Sequence, residues 1–255
     1  MTRVYQLTIG SKQLPLSSCL LRGGTAELVD FSYSFWLVDH PDGLMLVDCG
    51  FRAPAAERKA ISFERTAVQA LELLGIGPSE IESIVLTHMH FDHAGSLSDF
   101  PEATVYLQRT ELDYFTSPLM RFPLCASGLD ADDLAAVRGL ERQGRLLFMD
   151  GDTEVVPGVR THHVGGHTPG TQLVSITDGA RRVVLTSDAA HLYANLSGGV
   201  PFPVLHDVPS SCVAFEVING LDDDATHVIP GHDGEVRRRF DPVAGTPSGS
   251  TVALL

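Results

Sequence analysis

Cysteine is scarce and nowhere paired. Cys19, Cys49, Cys125 and Cys212 are widely spaced, with no Cys-x-x-Cys among them. That pattern argues against a disulfide scaffold and for a reduced, cytoplasmic chain in which each thiol is a small buried hydrophobe. The opening "MTRVYQLTIGSKQLPLSSC" has a basic residue but no sustained apolar core, so no signal peptide is expected. No window approaches 18 uninterrupted apolar residues, which leaves no membrane-spanning helix to propose. Positive charge is also short: 18 Lys and Arg stand against 32 Asp and Glu, a formal net charge of −14. Such a surface opposes nucleic-acid binding, which depends on cations neutralising phosphates. A small anionic substrate is not excluded, because a metal inverts charge locally. The basic run Arg237-Arg238-Arg239 reads as a solvated face or a helix end. Repeats, low-complexity tracts and a convincing linker are all missing, so residues 1–255 are read as one domain.

A chain of this length buries roughly three-quarters of its unfolded surface and needs no staple. "SFWLVDHPDGLMLVDCG" sets two apolar runs around Pro41-Asp42-Gly43, the pattern of a β-hairpin. "FERTAVQALELLG" spaces Ala67, Ala70, Leu71 and Leu74 as a helix and ends on Gly75. Ser79 and Glu82 have the spacing of a capping box for a short helix, and Ile84 to Leu86 come next as a buried strand. "ATVYLQ" predicts a strand and "TELDYF" a helix. Residues 116–144 predict short helices over a site. "RLLFMD" predicts a strand, and another starts after the turn at Gly151-Asp152 and ends in "THHV". "TQLVSI" and "RRVVLTSDAA" form a second hairpin, "SSCVAFEVINGL" a helix, and "HVIPGHD" a strand entering a loop. The tail after Phe240 predicts loop. Helices, strands and hairpins interleave, so the sheets are expected to be mixed.

The chemistry concentrates in "THMHFDHAGSL". His88, His90, Asp92 and His93 fall within six positions, directly after an apolar strand. Imidazole and carboxylate donors suit zinc and related divalent ions. His88 and His90 at i, i+2 can pinch one ion; Asp92 and His93 can turn to a second. The bland alternative is a polar loop whose histidines cap backbone groups. Three later segments weigh against it. "GGHTPG" carries His167, "LTSDAA" puts Asp188 at a strand end, and "IPGHD" puts His232 just after another strand. Seven candidate ligands on one sheet edge are too many for one tetrahedral ion and enough for two that share a carboxylate and a water.

The ordered set "THMHFDHAG", "GGHTPG", "SDAA" and "PGHD" resembles the metallo-β-lactamase superfamily, from about the first hairpin to His232. "VDCG", with Asp48, resembles its first motif, with cysteine in place of threonine. The resemblance implies an α/β fold, a four-layer αββα sandwich with mixed sheets. It implies that His88, His90 and His167 hold one metal, that Asp92, His93 and His232 hold the other, and that Asp188 bridges them, with Asp48 orienting a ligand from behind. The two ions are expected to be zinc, with manganese, iron or cobalt as alternatives.

Within that superfamily the first motif, the short chain, and the steps of 21 residues from His167 to Asp188 and 44 to His232 resemble the N-acyl-homoserine lactonases. The implied activity is lactone opening by a metal-bridging hydroxide, with Asp92 and Asp188 at the reacting centre. Those enzymes often carry a substrate-contacting tyrosine three residues after the bridging aspartate. Here that position is His191, and Tyr193 lies two further on, so both are candidate catalytic contacts. Leu20, Leu21, Leu119, Met120, Phe122, Phe202 and Val204 are candidates for an acyl groove. The rival readings are a thioester hydrolase resembling glyoxalase II, and a phosphodiesterase of the same fold. The first lacks its usual basic C-terminal region here, and the second is disfavoured by charge. The expected partner is a small lactone or ester, with no nucleic acid, no membrane, and a homodimer as the common symmetric assembly.

Overall fold

A computed structural model of the chain describes residues 1–247 and 249–255. Thirteen strands alternate with nine short helices among the described residues. The first sheet contains β1 (Arg3–Pro15), β2 (Leu28–His40), β3 (Gly43–Val47), β4 (Ser62–Phe63), β5 (Ile81–Val85), β6 (Thr104–Gln108), β7 (Leu146–Met149) and β13 (Thr251–Ala253). Its order is β13-β1-β2-β3-β5-β6-β7, with β4 paired to β1. The β1–β2–β3 portion is antiparallel and the β3–β5–β6–β7 portion parallel. The second sheet runs β12 (Thr226–Pro230), β11 (Arg181–Ser187), β10 (Gln172–Asp178), β9 (Val159–His163), β8 (Thr153–Val156); only β11 and β12 are parallel. Both sheets are mixed, as expected.

Side-chain alternation explains the layering. Along β2, Phe35 and Leu37 point to one apolar cluster, Trp36 and Val38 to another. The first cluster lies under α1 (Ala53–Lys59), α2 (Ala67–Glu72), α3 (Phe91–Ala94), α4 (Arg109–Phe115) and α6 (Ala131–Arg142), and takes Ala56, Leu71, Ala94, Leu112 and Val137 from those helices, whereas α5 (Pro123–Ala126) buries none of its residues. The second fills the gap between the sheets, where Val38, Val47 and Val85 meet Val174, Ile176 and Leu185. A third seats α8 (Val208–Leu221), through Ala214, Phe215 and Ile218, on Leu173 and Val184. α7 (Tyr193–Gly198) follows β11 in the chain, and α9 (Val236–Arg239) follows β12. Three apolar interfaces separate four layers, α, β, β and α. With both faces covered, the strands read as near-continuous apolar runs.

Four expectations are corrected. Ser79 and Glu82 do not cap a helix; instead the Gly77 N–H donates to the Glu80 carboxylate at 2.7 Å across a single turn, Pro78–Glu80. The stretch ending in "THHV" holds two strands, β8 and β9, because Gly158 turns the chain at φ 82°. The tail after Phe240 is not all loop: β13 returns to pair with β1 and buries Val252 and Leu254 between the sheets. Cys19 and Cys49 are buried as expected, but Cys125 is half-buried and Cys212 exposed. No described helix is long and apolar enough to cross a membrane.

Helix α6 carries an electrostatic cost. The half-buried Asp133 carboxyl is pushed up to about 7, by burial first and then by Asp130 and Asp132. Its Oδ2 has no hydrogen-bond partner. A carboxyl whose folded pKa is raised stabilises the fold at low pH, and that contribution is lost as pH climbs through the folded value. Asp133→Asn should therefore raise Tm by about 2 °C or more at pH 8, with the gain shrinking by pH 5. Thermal melts at the two pH values check this; a larger gain at the lower pH would contradict it.

Candidate metal centre

Every predicted ligand lies just beyond the carboxyl end of a strand: His88, His90, Asp92 and His93 after β5, His167 after β9, Asp188 after β11 and His232 after β12. The sheet edges aim these short loops at one point, and the structure brings all seven side chains together. Six are buried and Asp92 is half-buried. Donor atoms of His88, His90, His167 and Asp188 lie within 4.8 Å of one another, and so do those of Asp92, His93 and His232.

Asp188 stands between the two sets. Its Oδ2 faces His167 Nε2 at 3.1 Å and His88 Nε2 at 3.7 Å. Its Oδ1 faces His232 Nε2 at 2.9 Å and His93 Nε2 at 3.3 Å. Asp92 Oδ2 lies 3.8 Å from the Nε2 atoms of both His93 and His232. His90 Nδ1 is 2.8 Å from His167 Nε2.

Partners behind the ring fix which nitrogen faces inward. A backbone carbonyl only accepts, so Nδ1 of His167 donates to Val204 O at 2.7 Å and Nδ1 of His232 to Ser32 O at 2.9 Å. His93 Nδ1 lies 2.7 Å from the buried Asp48 carboxylate. In each case it is Nε2 that faces the cluster, the nitrogen that can bind an ion once its proton is lost. His88 Nε2 and His93 Nε2 are buried with no hydrogen-bond partner. Buried imidazole nitrogens are rarely orphaned in this way, so the pair fits a site built to coordinate ions.

The electrostatics agree. Burial and neighbouring imidazoles hold His88 well below its ordinary value, and burial lowers His90 to about 4. Both rings are therefore neutral near pH 7, the form able to ligate an ion. Burial opposes charge on His93, yet Asp188, Asp48 and Asp92 outweigh it and push the ring well above the usual range. Burial likewise opposes charge on Asp188, and the surrounding imidazoles of His191, His232, His93 and His167 keep it firmly ionised.

Asp48 sits behind the cluster, against His93. It occupies a left-handed conformation, φ 62°, at the end of β3. From there it accepts from Thr87 N at 2.8 Å and from Thr87 Oγ1 at 2.8 Å, as well as facing His93. Ser187, also at positive φ, joins through Thr87 Oγ1 at 2.7 Å. Backbone strain at two non-glycine residues is concentrated at this one place.

The two candidate substrate contacts part company. His191 is buried, with Nε2 3.0 Å from Asp188 Oδ2, and it lines the cavity over the cluster. Its ring stacks on Phe202 at 3.9 Å and 7°. Tyr193 is not brought to the cluster. Its hydroxyl donates to Val228 O at 3.1 Å, and the Arg239 guanidinium lies 3.9 Å above its ring.

The cavity has a volume of about 340 Å³; its apolar walls are Leu14, Phe31, Phe91, Phe202 and Val204, with Tyr33 beside His232. Of the residues proposed for an acyl groove, only Phe202 and Val204 line it; Leu20, Leu21, Leu119, Met120 and Phe122 do not. Of residues 116–144, read as short helices over a site, Pro118–Arg121 and Pro123–Ala126 do form short helices that lead to Ser127 and Gly128 in the cavity wall, whereas α6 packs on the first apolar cluster through Val137 and Leu140. Gly128 O accepts from Phe91 N at 2.8 Å, and Lys59 Nζ donates to Ser127 O at 3.2 Å. A Cβ on Gly128 would stand 2.2 Å from His90 Cδ2, so only glycine permits this closeness.

The chain belongs to the metallo-β-lactamase superfamily, whose family model matches residues 28–241. It is similar to an N-acyl homoserine lactonase of a Bacillus species, 28% identical over 215 residues, 78% of this chain and 80% of that one. It is also similar to the N-acyl homoserine lactonase AttM of Rhizobium johnstonii, 26% identical over 129 residues, 46% of this chain and 49% of that one. Among solved structures, an N-acyl homoserine lactone hydrolase with N-hexanoyl-L-homoserine bound at its catalytic metal centre superposes at a TM-score of 0.77. It is 24% identical, with 94% of this chain and 96% of that one covered. AidC, a dizinc quorum-quenching lactonase, superposes at 0.72 with 20% identity, covering 91% and 87%. These likenesses show the shared αββα architecture.

Proposed function

We propose that the chain is a single-domain hydrolase that opens the ester bond of N-acyl homoserine lactones or closely related lactones, using two divalent ions, zinc by default. One observation carries this reading: Asp188 presents one oxygen to each of two complete ligand sets, at the floor of an apolar cavity. His88, His90 and His167 would hold the first ion and Asp92, His93 and His232 the second, with Asp188 shared. When bound, such ions supply a water acidic enough to deliver hydroxide near neutral pH, and polarise a carbonyl oxygen.

The chain's own residues do the rest. Leu14, Phe31, Phe202 and Val204 exclude water around an acyl chain, so an apolar tail is held with its lactone over the polar floor. The His191 ring forms part of the cavity wall and is fixed by Phe202, which places it to touch the lactone carbonyl. Asp92, least buried of the seven, takes the proton released when hydroxide adds to the carbonyl carbon. It returns that proton to the ring oxygen as the C–O bond breaks, and the product leaves as an N-acyl homoserine. Thioester and phosphodiester hydrolysis are the rival readings of such a site, and the apolar cavity favours the lactone.

A panel of N-acyl homoserine lactones, thioesters and phosphodiesters, assayed alongside elemental analysis, tests the proposal. The expected result is about two ions per chain with lactone opening as the dominant activity. Thioester or phosphodiester turnover exceeding lactone turnover would overturn it.

A further inference from the structure

Glu111, in the first turn of α4, is fully buried and lies outside both ligand sets. Burial pushes its carboxyl up to about 7, against the pull of its hydrogen bonds. A carboxylate in such a place is costly unless its acceptors are satisfied. Its oxygens are satisfied by backbone and hydroxyl donors from two separate loops. Oε1 accepts from Met89 N at 2.8 Å. Oε2 accepts from Thr168 Oγ1 at 2.7 Å and from Gly170 N at 2.9 Å.

The identity of those partners matters. Met89 sits between His88 and His90; Thr168 comes directly after His167, and Gly170 lies two further on. One side chain therefore ties the loop that carries two ligands to the loop that carries a third. The His167 loop presses closely on α4: a Cβ on Gly170 would stand 2.4 Å from Glu111 Cβ. The consequence is visible at the centre, where His90 Nδ1 and His167 Nε2 are held 2.8 Å apart from opposite loops. An apolar side chain of equal size would leave the Met89 and Gly170 N–H groups buried and unpaired, and Thr168 Oγ1 with Thr171 Oγ1 as its partner at 2.8 Å.

We propose that Glu111 is a positioning residue that clamps the His88–His90 loop to the His167 loop and so sets the geometry of the first ion's ligands. Glu111 touches neither the ions nor the substrate; it acts through Met89, Thr168 and Gly170. This inference rests on the two-ion reading of the centre but not on the identity of the lactone. Filling of the first site and the integrity of the clamp are then linked reciprocally.

The test is cobalt(II) binding to the metal-stripped full chain, read by competition with a chromophoric chelator and by the visible absorption of bound cobalt. Glu111→Gln keeps the shape but presents an amide NH2 to one set of donors. It should fold as the unsubstituted chain does by circular dichroism, bind cobalt at least about 10-fold more weakly, and show an altered absorption band. Thr168→Val removes the hydroxyl donor alone and should weaken binding in the same direction, whereas Thr168→Ser should restore it. If Glu111→Gln does not fold, the Thr168 pair decides. Wild-type affinity and spectrum in Glu111→Gln, or equal losses in Thr168→Val and Thr168→Ser, would overturn the clamp. An unsubstituted chain that binds no cobalt would instead remove the metal-centre reading beneath it.

Discussion

Asp188→Asn should lower lactone hydrolysis by about 10³-fold or more, equivalent to about 4 kcal/mol of lost transition-state stabilisation. The reason is geometric and electrostatic together. Asp188 supplies an anionic oxygen to each ligand set, at 3.1 Å from His167 and 2.9 Å from His232. Asparagine keeps the volume but offers one neutral oxygen, and its amide would turn donors towards imidazole nitrogens or an ion. The bound-ion content should fall from about two per chain to one or fewer while the far-ultraviolet circular dichroism is unchanged. Metal analysis and initial rates on the same preparation check both parts. Full activity with two ions retained would refute the bridging assignment.

Asp48→Ala should act through the fold as well as the site. Asp48 is fully buried and holds Thr87 and His93 together. Its removal leaves the Thr87 N–H and His93 Nδ1 buried without their partner, at a cost of about 3 kcal/mol. For a domain of this size that corresponds to a Tm lower by about 6–12 °C. Freed of its orienting carboxylate, His93 should also hold an ion about 10–100-fold less tightly. Melting curves and chelator competition measure the two effects separately. An unchanged Tm would show that Asp48 carries no such load.

Much of this architecture is legible in the amino-acid order because strands covered on both faces read as near-continuous apolar runs. "FWLV" in β2 and "VVL" in β11 can be little else. The seven candidate ligands are legible for a related reason: each follows a strand, in the connecting loop or, for Asp92 and His93, in the short α3, and strands that end at one sheet edge deliver these segments to the same place. Contacts between residues distant in the chain escape the sequence. Glu111 lies 57 residues from Thr168, and "QRTELDYF" looks like an ordinary helix start. Phe31 reads as one more strand aromatic, although it stacks on His232 at 4.4 Å and 12°. Gly128 resembles any loop glycine until His90 is placed against it. Tyr193 is a candidate only by its nearness to Asp188 in sequence, and the turn into α7 carries it to the other side. The β13 return is invisible because Thr251–Ala253 is too short to show alternation.

The aromatic rings beside the centre have a consequence for how such a protein diversifies. Phe202 lies flat on His191, Phe31 lies flat on His232, and the two imidazoles are themselves stacked at 5.3 Å. The surface that would select an acyl tail and the framework that keeps an ion in place are thus the same column of rings. A substitution at Phe31 or Phe202 that widens the cavity for a bulkier tail also loosens an imidazole beside Asp188. Broadened substrate range gained at these two positions should come with weaker ion retention, whereas remodelling at Leu14 or Val204, outside the column, should leave retention intact.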